Sequence, residues 1–265
     1  LDDDITLTTK DKTTSNTVTI DAKEDNTANV TLQDVHIETE GSWNNTGSAP
    51  IEIKGNGDTN LELNGDNTVL SGDSYHAAIE KADKNGTGTL TIKDDKNDDR
   101  SDKDKDENGN AAGGDTGKLL AGGNYAGAGI GGGSSSNDLA DTSNITIKGG
   151  EVTARSGYDY SAGIGGGSWT TKQDMDGINA ASDIVISGGR VSARGQYNCA
   201  GIGGGQYVPA RNITITGGHV SATGHYGAAI GGGRWCHGKN ITITDATLNL
   251  STNYRSNGSD AAAVG

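Results

Sequence analysis

The sequence contains no phenylalanine, and it has only two cysteines, two prolines and one methionine among 265 residues. Two cysteines are too few for the disulfide framework that holds small secreted domains together. Only 31% of the residues are hydrophobic, while 44 residues are glycine. A large conventional core is therefore excluded. The chain is either disordered or folded in a very regular way that buries few apolar residues.

Positive charge is also scarce, since 35 acidic residues face 21 basic ones and the formal net charge is −14. Nucleic-acid binding needs clustered lysine and arginine, so we expect no nucleic-acid partner. No apolar run approaches the roughly 20 residues of a membrane span, and we expect no membrane insertion. The start of the sequence, Leu1-Asp2-Asp3-Asp4, does not resemble a signal peptide. An acidic composition rich in Gly, Asn, Thr and Asp fits an extracellular bacterial protein.

Three short motifs recur in a fixed order along the chain. The first motif, AGIGGG, occurs at 128–133, 162–167 and 200–205, and again as AAIGGG at 228–233. The second motif, of the type NITITGG, follows at 144–150, 183–189, 212–218 and 240–246. The third motif alternates apolar and other residues and starts at 152, 191, 220 and 248. Degraded versions of all three motifs occur before residue 124.

The aliphatic residue of the first motif measures the period of the repeat. It falls at 51, 79, 130, 164, 202, 230 and, as valine, at 264. The shortest step is about 28 residues, and each motif alternates as a short β-strand does. The pattern predicts an all-β, right-handed parallel β-helix with three strands per coil and about seven to eight coils, as a single domain over 1–265. An antiparallel sandwich is the rival fold, but it would not keep three distinct motifs in order.

One polar position directly precedes the alternating apolar residues of the second strand in most coils. It is occupied by Asn29, Asn144, Asp183, Asn212 and Asn240. Stacked asparagine amides satisfy one another's hydrogen bonds, so we expect a ladder along the turn between strands.

Aromatic residues border the first motif on both sides. Trp169, Tyr207 and Trp235 follow its isoleucine by five residues, and Tyr125, Tyr160, Tyr197 and Tyr226 precede it by four or five. We expect the glycines beside that isoleucine to face outward, because glycine in a strand marks close approach of another backbone or of a ligand. Tight turns, or a second chain that packs there, are an equal alternative for the glycines. The sequence thus predicts a glycine-floored groove lined by Trp and Tyr that binds a glycan. For the tyrosines, simple stacking on one another in the turn is an equal alternative.

Three arginines adjoin the predicted groove. Arg155 and Arg194 end the third motif at equivalent positions, and Arg234 precedes Trp235. A guanidinium donates paired hydrogen bonds to hydroxyls or to the carboxylate of an acidic sugar. Ordinary solvent-exposed arginines are the alternative interpretation.

An acidic insertion at 93–117 accounts for the long step between Ile79 and Ile130. Asp104, Asp106, Asn108, Asn110 and Asp115 lie at spacings that match an EF-type calcium loop. We therefore predict a structural calcium site there. A solvated acidic loop without metal is the alternative.

The sequence also leaves an enzymatic function open. A glycosidase needs two carboxylates about 5–10 Å apart, and Glu52 and Glu80 align in adjacent coils beside the first motif. A row of solvent-exposed glutamates is the alternative interpretation of that pair, and we favour a non-catalytic protein. A polysaccharide lyase or glycoside hydrolase is the second hypothesis, and a structural adhesin stalk is the third.

The AGIGGG, NITITGG and V-x-A motifs resemble those of cell-surface proteins of gut Firmicutes and of bacterial β-helix proteins of the carbohydrate-binding-domain type, whose architecture is pectate-lyase-like. The resemblance covers most of 29–265 and is best over 124–250. It implies a non-catalytic module at the bacterial cell surface that binds a polysaccharide or a glycoprotein glycan. Because the chain starts and ends within a coil, we expect it to be part of a longer multidomain protein.

Overall fold

The computed structural model describes residues 4–10, 12–41, 47–95, 116–134, 140–168, 180–253 and 262–265. Over these residues the chain forms 22 β-strands and one 3₁₀ turn at Asp83–Asn85. All of these strands pair in parallel with their neighbours. None of the described helical segments is long and apolar enough to cross a membrane.

The strands, numbered in chain order, form three sheets that correspond to the three motifs. Sheet 1, from the first motif, contains β2 (Val18–Asp21), β5 (Ile51–Lys54), β8 (Ile79–Glu80), β11 (Ile130–Gly131), β14 (Ile164–Gly165), β17 (Ile202–Gly203) and β20 (Ile230–Gly231). Sheet 2, from the second motif, contains β1 (Ile5–Leu7), β3 (Thr27–Gln33), β6 (Asp58–Asn64), β9 (Leu90–Lys93), β12 (Ile145–Ile147), β15 (Ala181–Ile186), β18 (Ala210–Ile215) and β21 (Gly238–Ile243). Sheet 3, from the third motif, contains β4 (His36–Glu38), β7 (Asp66–Leu70), β10 (Lys118–Gly122), β13 (Glu151–Arg155), β16 (Arg190–Cys199), β19 (His219–Tyr226) and β22 (Thr247–Thr252).

Equivalent residues of successive coils lie in register. Ile79, Ile130 and Ile164 are paired in neighbouring strands of sheet 1, and Val264 forms a bridge with Ile230. Each coil therefore adds one strand to each sheet, at a rise of about 4.8 Å. The predicted fold class, a right-handed parallel β-helix with three strands per coil, is confirmed.

The core is a narrow column of aliphatic side chains inside the coil. Ile145 and Ile147 of sheet 2, with their counterparts Ile184 and Ile186 in the next coil, are fully buried. Burial of one such side chain contributes about 1.5–3 kcal/mol. Stacking these residues at one strand spacing makes a continuous core from few apolar residues, which explains the low hydrophobic content.

The predicted polar ladder is confirmed over several coils. The Asn212 side chain donates to the Asp183 carboxylate at 3.0 Å, and the Asn240 side chain donates to Asn212 at 3.1 Å. Asn60 donates in the same way to Asn29 at 2.9 Å. Asp183, Asn212 and Asn240 all have a positive φ between 52° and 56°, a conformation that Asn and Asp adopt more readily than other side chains.

Two strands have no counterpart in the sequence pattern: β1 near the start of the chain, and β7. In β7 an inward position is occupied by Asn67, which is buried. Its side chain accepts from the Val35 backbone at 2.9 Å and donates to the carbonyls of Asn64 and Lys118. A fully bonded amide can thus replace the expected aliphatic residue, and this hid the strand from an apolar pattern.

The prediction that the glycines of the first motif form an exposed floor is wrong, because these residues are buried. A Cβ on Gly129 would lie 2.6 Å from the backbone nitrogen of Arg155, so this position faces the backbone of sheet 3. The equivalent Ala78 and Ala229 are fully buried in the core. Strand alternation misled the prediction because the four C-terminal strands of sheet 1 are only two residues long, and the preceding residue belongs to a turn.

The glycine after the isoleucine is required by backbone conformation. Gly131, Gly165, Gly203 and Gly231 have φ between 127° and 140°, which side-chain-bearing residues avoid. A Cβ on Gly165 would lie 2.1 Å from the Gly203 carbonyl oxygen of the next coil. This glycine column therefore allows successive coils to approach one another closely.

We expect Gly165→Ala to destabilise the protein by at least about 3 kcal/mol, because strain at positive φ adds to a backbone overlap. Urea denaturation measures this as a lower midpoint. Gly41→Ala is the control, since its Cβ would meet only the Gly72 carbonyl oxygen at 3.4 Å and the residue has no positive φ. Equal midpoints for the two variants would contradict the assignment.

Candidate functional site

Part of the predicted site lies outside the described residues. This applies to Trp169 and to all five predicted calcium ligands, Asp104, Asp106, Asn108, Asn110 and Asp115. Calcium binding by the insertion at 93–117 therefore remains a prediction. In the part of the chain that the structure describes, no three His, Cys, Asp or Glu side chains are grouped so as to hold a metal ion.

Two of the aromatic residues that follow the first motif, Tyr207 and Trp235, stack face to face. The rings of Tyr207 and Trp235 have centroids 5.0 Å apart and an interplanar angle of 14°. The Arg234 guanidinium lies 4.1 Å from the Trp235 ring centroid, in cation–π geometry. Although Trp235 is 46% exposed, much of its ring face is already used by contacts within the protein.

Arg234 also links this pair to the tyrosines on the other side of the first motif. Its guanidinium lies 5.0 Å from the Tyr226 ring centroid and donates to the Asn198 side chain at 3.0 Å. The aromatic residues before the first motif and those after it therefore both contact Arg234 in the C-terminal coils. This contact, together with the buried glycines, replaces the predicted groove between two separate walls.

The tyrosines that precede the first motif pack edge to face. Tyr125 and Tyr160 have centroids 5.8 Å apart at 85°, and Tyr197 and Tyr226 have centroids 5.1 Å apart at 79°. In an edge-to-face pair, one ring uses only its edge and its face stays available. The Tyr197 ring also lies 5.2 Å from the His225 ring at a tilt of 39°. Tyr197 is nevertheless 44% exposed, so part of its ring surface faces solvent.

A cleft of about 580 Å³ opens beside these tyrosines, and residues from three successive coils line it. They are Gly157, Tyr158, Asp159, Gln196, Tyr197 and His225. Three coils span roughly 10 Å at one strand spacing per coil. Tyr158 is 83% exposed, so the cleft combines two accessible aromatic rings with an amide, a carboxylate and an imidazole. Its volume is in the range of small-molecule sites.

An irregularity in β16 turns two consecutive side chains toward the cleft. The pairing of β16 with β19 follows regular register up to Arg194 and Thr223, then shifts before Tyr197 pairs with His225. Such bulges re-aim side chains and occur near functional sites. Gln196 and Tyr197 consequently both line the cleft, although neighbouring residues of a regular strand face opposite ways.

A parallel bridge pairs Asp159 with Tyr197, so a residue of the preceding coil lies beside Tyr197 on this surface. Asp159 itself is held by its backbone nitrogen, which donates to the Tyr125 carbonyl at 3.0 Å. Tyr125, Asp159, Tyr197 and His225 each lie five residues before the isoleucine of their coil. One structural position thus presents Tyr, Asp, Tyr and His in four successive coils.

The ionisable groups of the cleft are perturbed by burial and by one another. Burial raises the pKa of the Asp159 carboxyl, while the nearby His225 opposes this shift. Burial lowers the pKa of the His225 imidazole, and the positive charge of Arg194 lowers it further. Perturbed groups in a cleft are typical of functional sites. The positive charge of Arg194 therefore acts on one residue that lines the cleft.

The three predicted arginines do not form one cluster. Arg155 and Arg194 are exposed and paired in register on β13 and β16, whereas Arg234 packs between Trp235 and Tyr226. The Arg155 side chain leans over the preceding coil, with Nε 3.3 Å from the point where a Cβ on Gly122 would lie. Arg155 and Arg194 therefore lie on the outer face of sheet 3, and Arg234 lies between the two sets of aromatic residues.

The predicted row of exposed glutamates is wrong at Glu80, although Glu52 and Glu80 are paired in register as expected. Glu80 is fully buried and accepts hydrogen bonds from the His76 ring at 2.9 Å and from the Ala77 backbone at 3.2 Å. Glu52 binds Lys54 at 3.0 Å. A buried carboxylate engaged by histidine does not face a substrate, so this pair does not form the carboxylate arrangement of a glycosidase.

Sequence reasoning missed Tyr158, Asp159 and Gln196. The signal for Asp159 was present in the position five residues before each isoleucine, where it lies between the aligned Tyr125 and Tyr197. A search for aromatic residues alone overlooked Asp159, because the cleft also depends on polar residues at that position. Cys199 and Cys236, which lie on either side of β17, are not joined by a disulfide.

A family model described as a beta helix repeat matches residues 145–168, 184–206 and 213–234. Each matched stretch begins at the second motif of one coil and ends just after the next first motif. The cleft residues Tyr158, Asp159, Gln196, Tyr197 and His225 all lie within these stretches. No curated protein and no solved structure matches the chain.

The His76–Glu80 pair predicts a pH dependence of stability. Burial by itself lowers the pKa of His76, but the hydrogen bond and charge of Glu80, with the charges of Asp73 and Glu52, outweigh it and raise the pKa. A raised pKa in the folded state stabilises the fold below the unfolded pKa of about 6.5. That stabilisation is lost as the pH rises through the raised value.

We therefore expect the wild type to lose more stability than His76→Gln between about pH 5 and about pH 9. Glutamine can still donate a hydrogen bond to Glu80 but does not titrate in this range. The difference between the two pH profiles therefore reports the titration of His76 and not that of the carboxylates. Thermal unfolding at both pH values measures the difference. Identical pH profiles would show that the pair does not titrate as described.

Proposed function

We propose that the protein is a non-catalytic carbohydrate-binding module and that its binding site is the cleft between Tyr158, Tyr197 and His225. The observation that supports this most is the combination, in one cleft of about 580 Å³, of two exposed aromatic rings with polar side chains from three coils. Aromatic faces and hydroxyl-binding groups are the two features that a sugar ring needs in a binding site.

The aromatic part of the argument rests on exposure. Tyr158 and Tyr197 are among the few large hydrophobic side chains that are exposed in the described part of the chain. Burial of such rings would normally be favourable, and each carries a hydroxyl that suits a half-wet surface. The apolar face of a sugar ring can cover the exposed part of each ring.

The polar part of the argument rests on the hydrogen-bonding groups beside the rings. Asp159 accepts hydrogen bonds when ionised, Gln196 both donates and accepts, and His225 does either according to its tautomer. Vicinal sugar hydroxyls present donors and acceptors at similar spacing. The rise of about 4.8 Å between coils is close to the length of one sugar ring, which favours an oligosaccharide lying along the solenoid axis.

A binding role fits the cleft better than a hydrolytic one. Hydrolysis of a glycosidic bond ordinarily needs two carboxylates about 5–10 Å apart, whereas Asp159 is the one carboxylate among the described residues that line the cleft. The experiment that discriminates is incubation with polysaccharides. Released oligosaccharide products would replace the binding proposal with a lyase or hydrolase.

The proposal extends to the setting of the protein. We place it outside a bacterial cell, on the cell surface, as one part of a longer chain that holds a polysaccharide or a glycoprotein glycan. The acidic composition and the repeat architecture support this setting.

Tyr158→Ala and Tyr197→Ala are each expected to weaken glycan binding about tenfold, which corresponds to about 1.4 kcal/mol for a lost stacking contact. A glycan-array screen identifies the ligand, and calorimetry with that ligand measures the loss. The melting temperature of Tyr158→Ala should equal that of the wild type, since the side chain is almost fully exposed.

Trp235→Ala is the matched control, because it removes an exposed aromatic ring that lies outside the cleft and stacks on Tyr207. Unchanged affinity in Trp235→Ala with a loss in both tyrosine variants supports the cleft. The opposite result would move the site to the Tyr207–Trp235 pair.

A further inference from the structure

Arg155 and Arg194 form a small positive strip on an acidic protein. They are direct neighbours on β13 and β16, and both are exposed. In the part of the chain that is described, neither guanidinium forms an ion pair or a hydrogen bond. The chain carries 35 acidic residues against 21 basic ones, so two adjacent arginines with no acidic partner among the described residues are unexpected.

Like charges on directly adjacent strands are unfavourable. The backbones of β13 and β16 are separated by one strand spacing, about 4.8 Å. The Arg155 side chain leans away from Arg194 over Gly122, which lowers the repulsion and leaves Arg194 nearest the cleft. An anion bound here would remove the remaining repulsion.

Arg194 lies at the edge of the cleft. Residues 190, 192 and 194 of β16 are exposed while 191 and 193 are buried, and Gln196 continues the outward row into the cleft. Arg194 is therefore two residues from a cleft-lining side chain on the same strand face. Its charge also acts on His225 across the next coil, which agrees with that placement.

We propose that the ligand of the cleft is an acidic sugar whose carboxylate is bound by Arg194, with Arg155 as a second positive charge on the preceding coil. The inference rests on the proposed carbohydrate function and specifies its substrate class. The planar guanidinium of Arg194 donates two parallel hydrogen bonds to a carboxylate, a pairing that a neutral sugar does not offer. The sugar ring then lies against Tyr197, and its hydroxyls face Gln196 and Asp159.

The first experiment compares each acidic ligand with its neutral counterpart by calorimetry on the intact chain. One arm uses 3′-sialyllactose against lactose, and the other uses a hyaluronan oligosaccharide against its carboxyl-reduced form. We expect at least about tenfold tighter binding of the acidic member in one arm, and that arm distinguishes a sialic acid from a uronic acid. Equal affinities within both pairs would overturn the inference.

The second experiment assigns the carboxylate contact to Arg194. Arg194→Ala should abolish the preference, so that the acidic and the neutral member of each pair bind with equal affinity. Arg194→Lys should restore part of the preference, because lysine keeps the charge but lacks the planar fork. Arg190→Ala is the matched control: it makes the same change of charge on the same face of β16, and the preference should survive.

The outcomes separate this inference from the function on which it rests. Neutral sugars that bind as well as acidic ones, with a loss in Tyr197→Ala, would leave carbohydrate binding intact and overturn the acidic specificity. A preference that survives in Arg194→Ala would overturn the role of that residue. A glycan array without any bound glycan would overturn both proposals together.

Discussion

The parallel register between coils is the constraint on which the rest of the structure depends. Because each coil adds one strand to each sheet, any residue type at a given position is repeated about 4.8 Å further along. Inside the coil this repetition makes a continuous aliphatic column, and in the turn it makes the asparagine ladder from Asp183 to Asn240. The same register aligns Arg155 with Arg194 and Asp159 with Tyr197 on the outside. Core, turn and surface are thus three consequences of one geometric rule.

The cleft arises where that rule is locally relaxed. A shift in the pairing of β16 and β19 turns Gln196 and Tyr197 to the same side, and His225 takes the corresponding place in the next coil. Tyr158 precedes Asp159 in the loop after β13 and adds a second ring. A regular solenoid surface offers flat rows of side chains, so a concave site needs an interruption of this kind.

The architecture could be predicted from the sequence because inward residues repeat with little variation. The isoleucines of the first and second motifs located most strands in the correct sheet. Strand β7 was missed because Asn67 replaces an aliphatic residue and satisfies its polar atoms internally. The glycine floor was wrong for a related reason, since alternation describes extended strands and the C-terminal strands of sheet 1 have only two residues. The position of Tyr197 and Tyr160 beside the first motif was predictable. The polar groups of the cleft were not, because their convergence depends on the bulge and on contacts between coils.

The position five residues before each isoleucine changes from Tyr125 to Asp159, Tyr197 and His225, while the backbone beneath it keeps the same path. The side chain at this surface position can therefore change while the fold of the backbone stays the same. A substitution at this position in one coil changes the side chain that this coil presents and leaves the coils before and after it in place. Such a solenoid can change its surface chemistry one coil at a time while the rest of the fold stays the same.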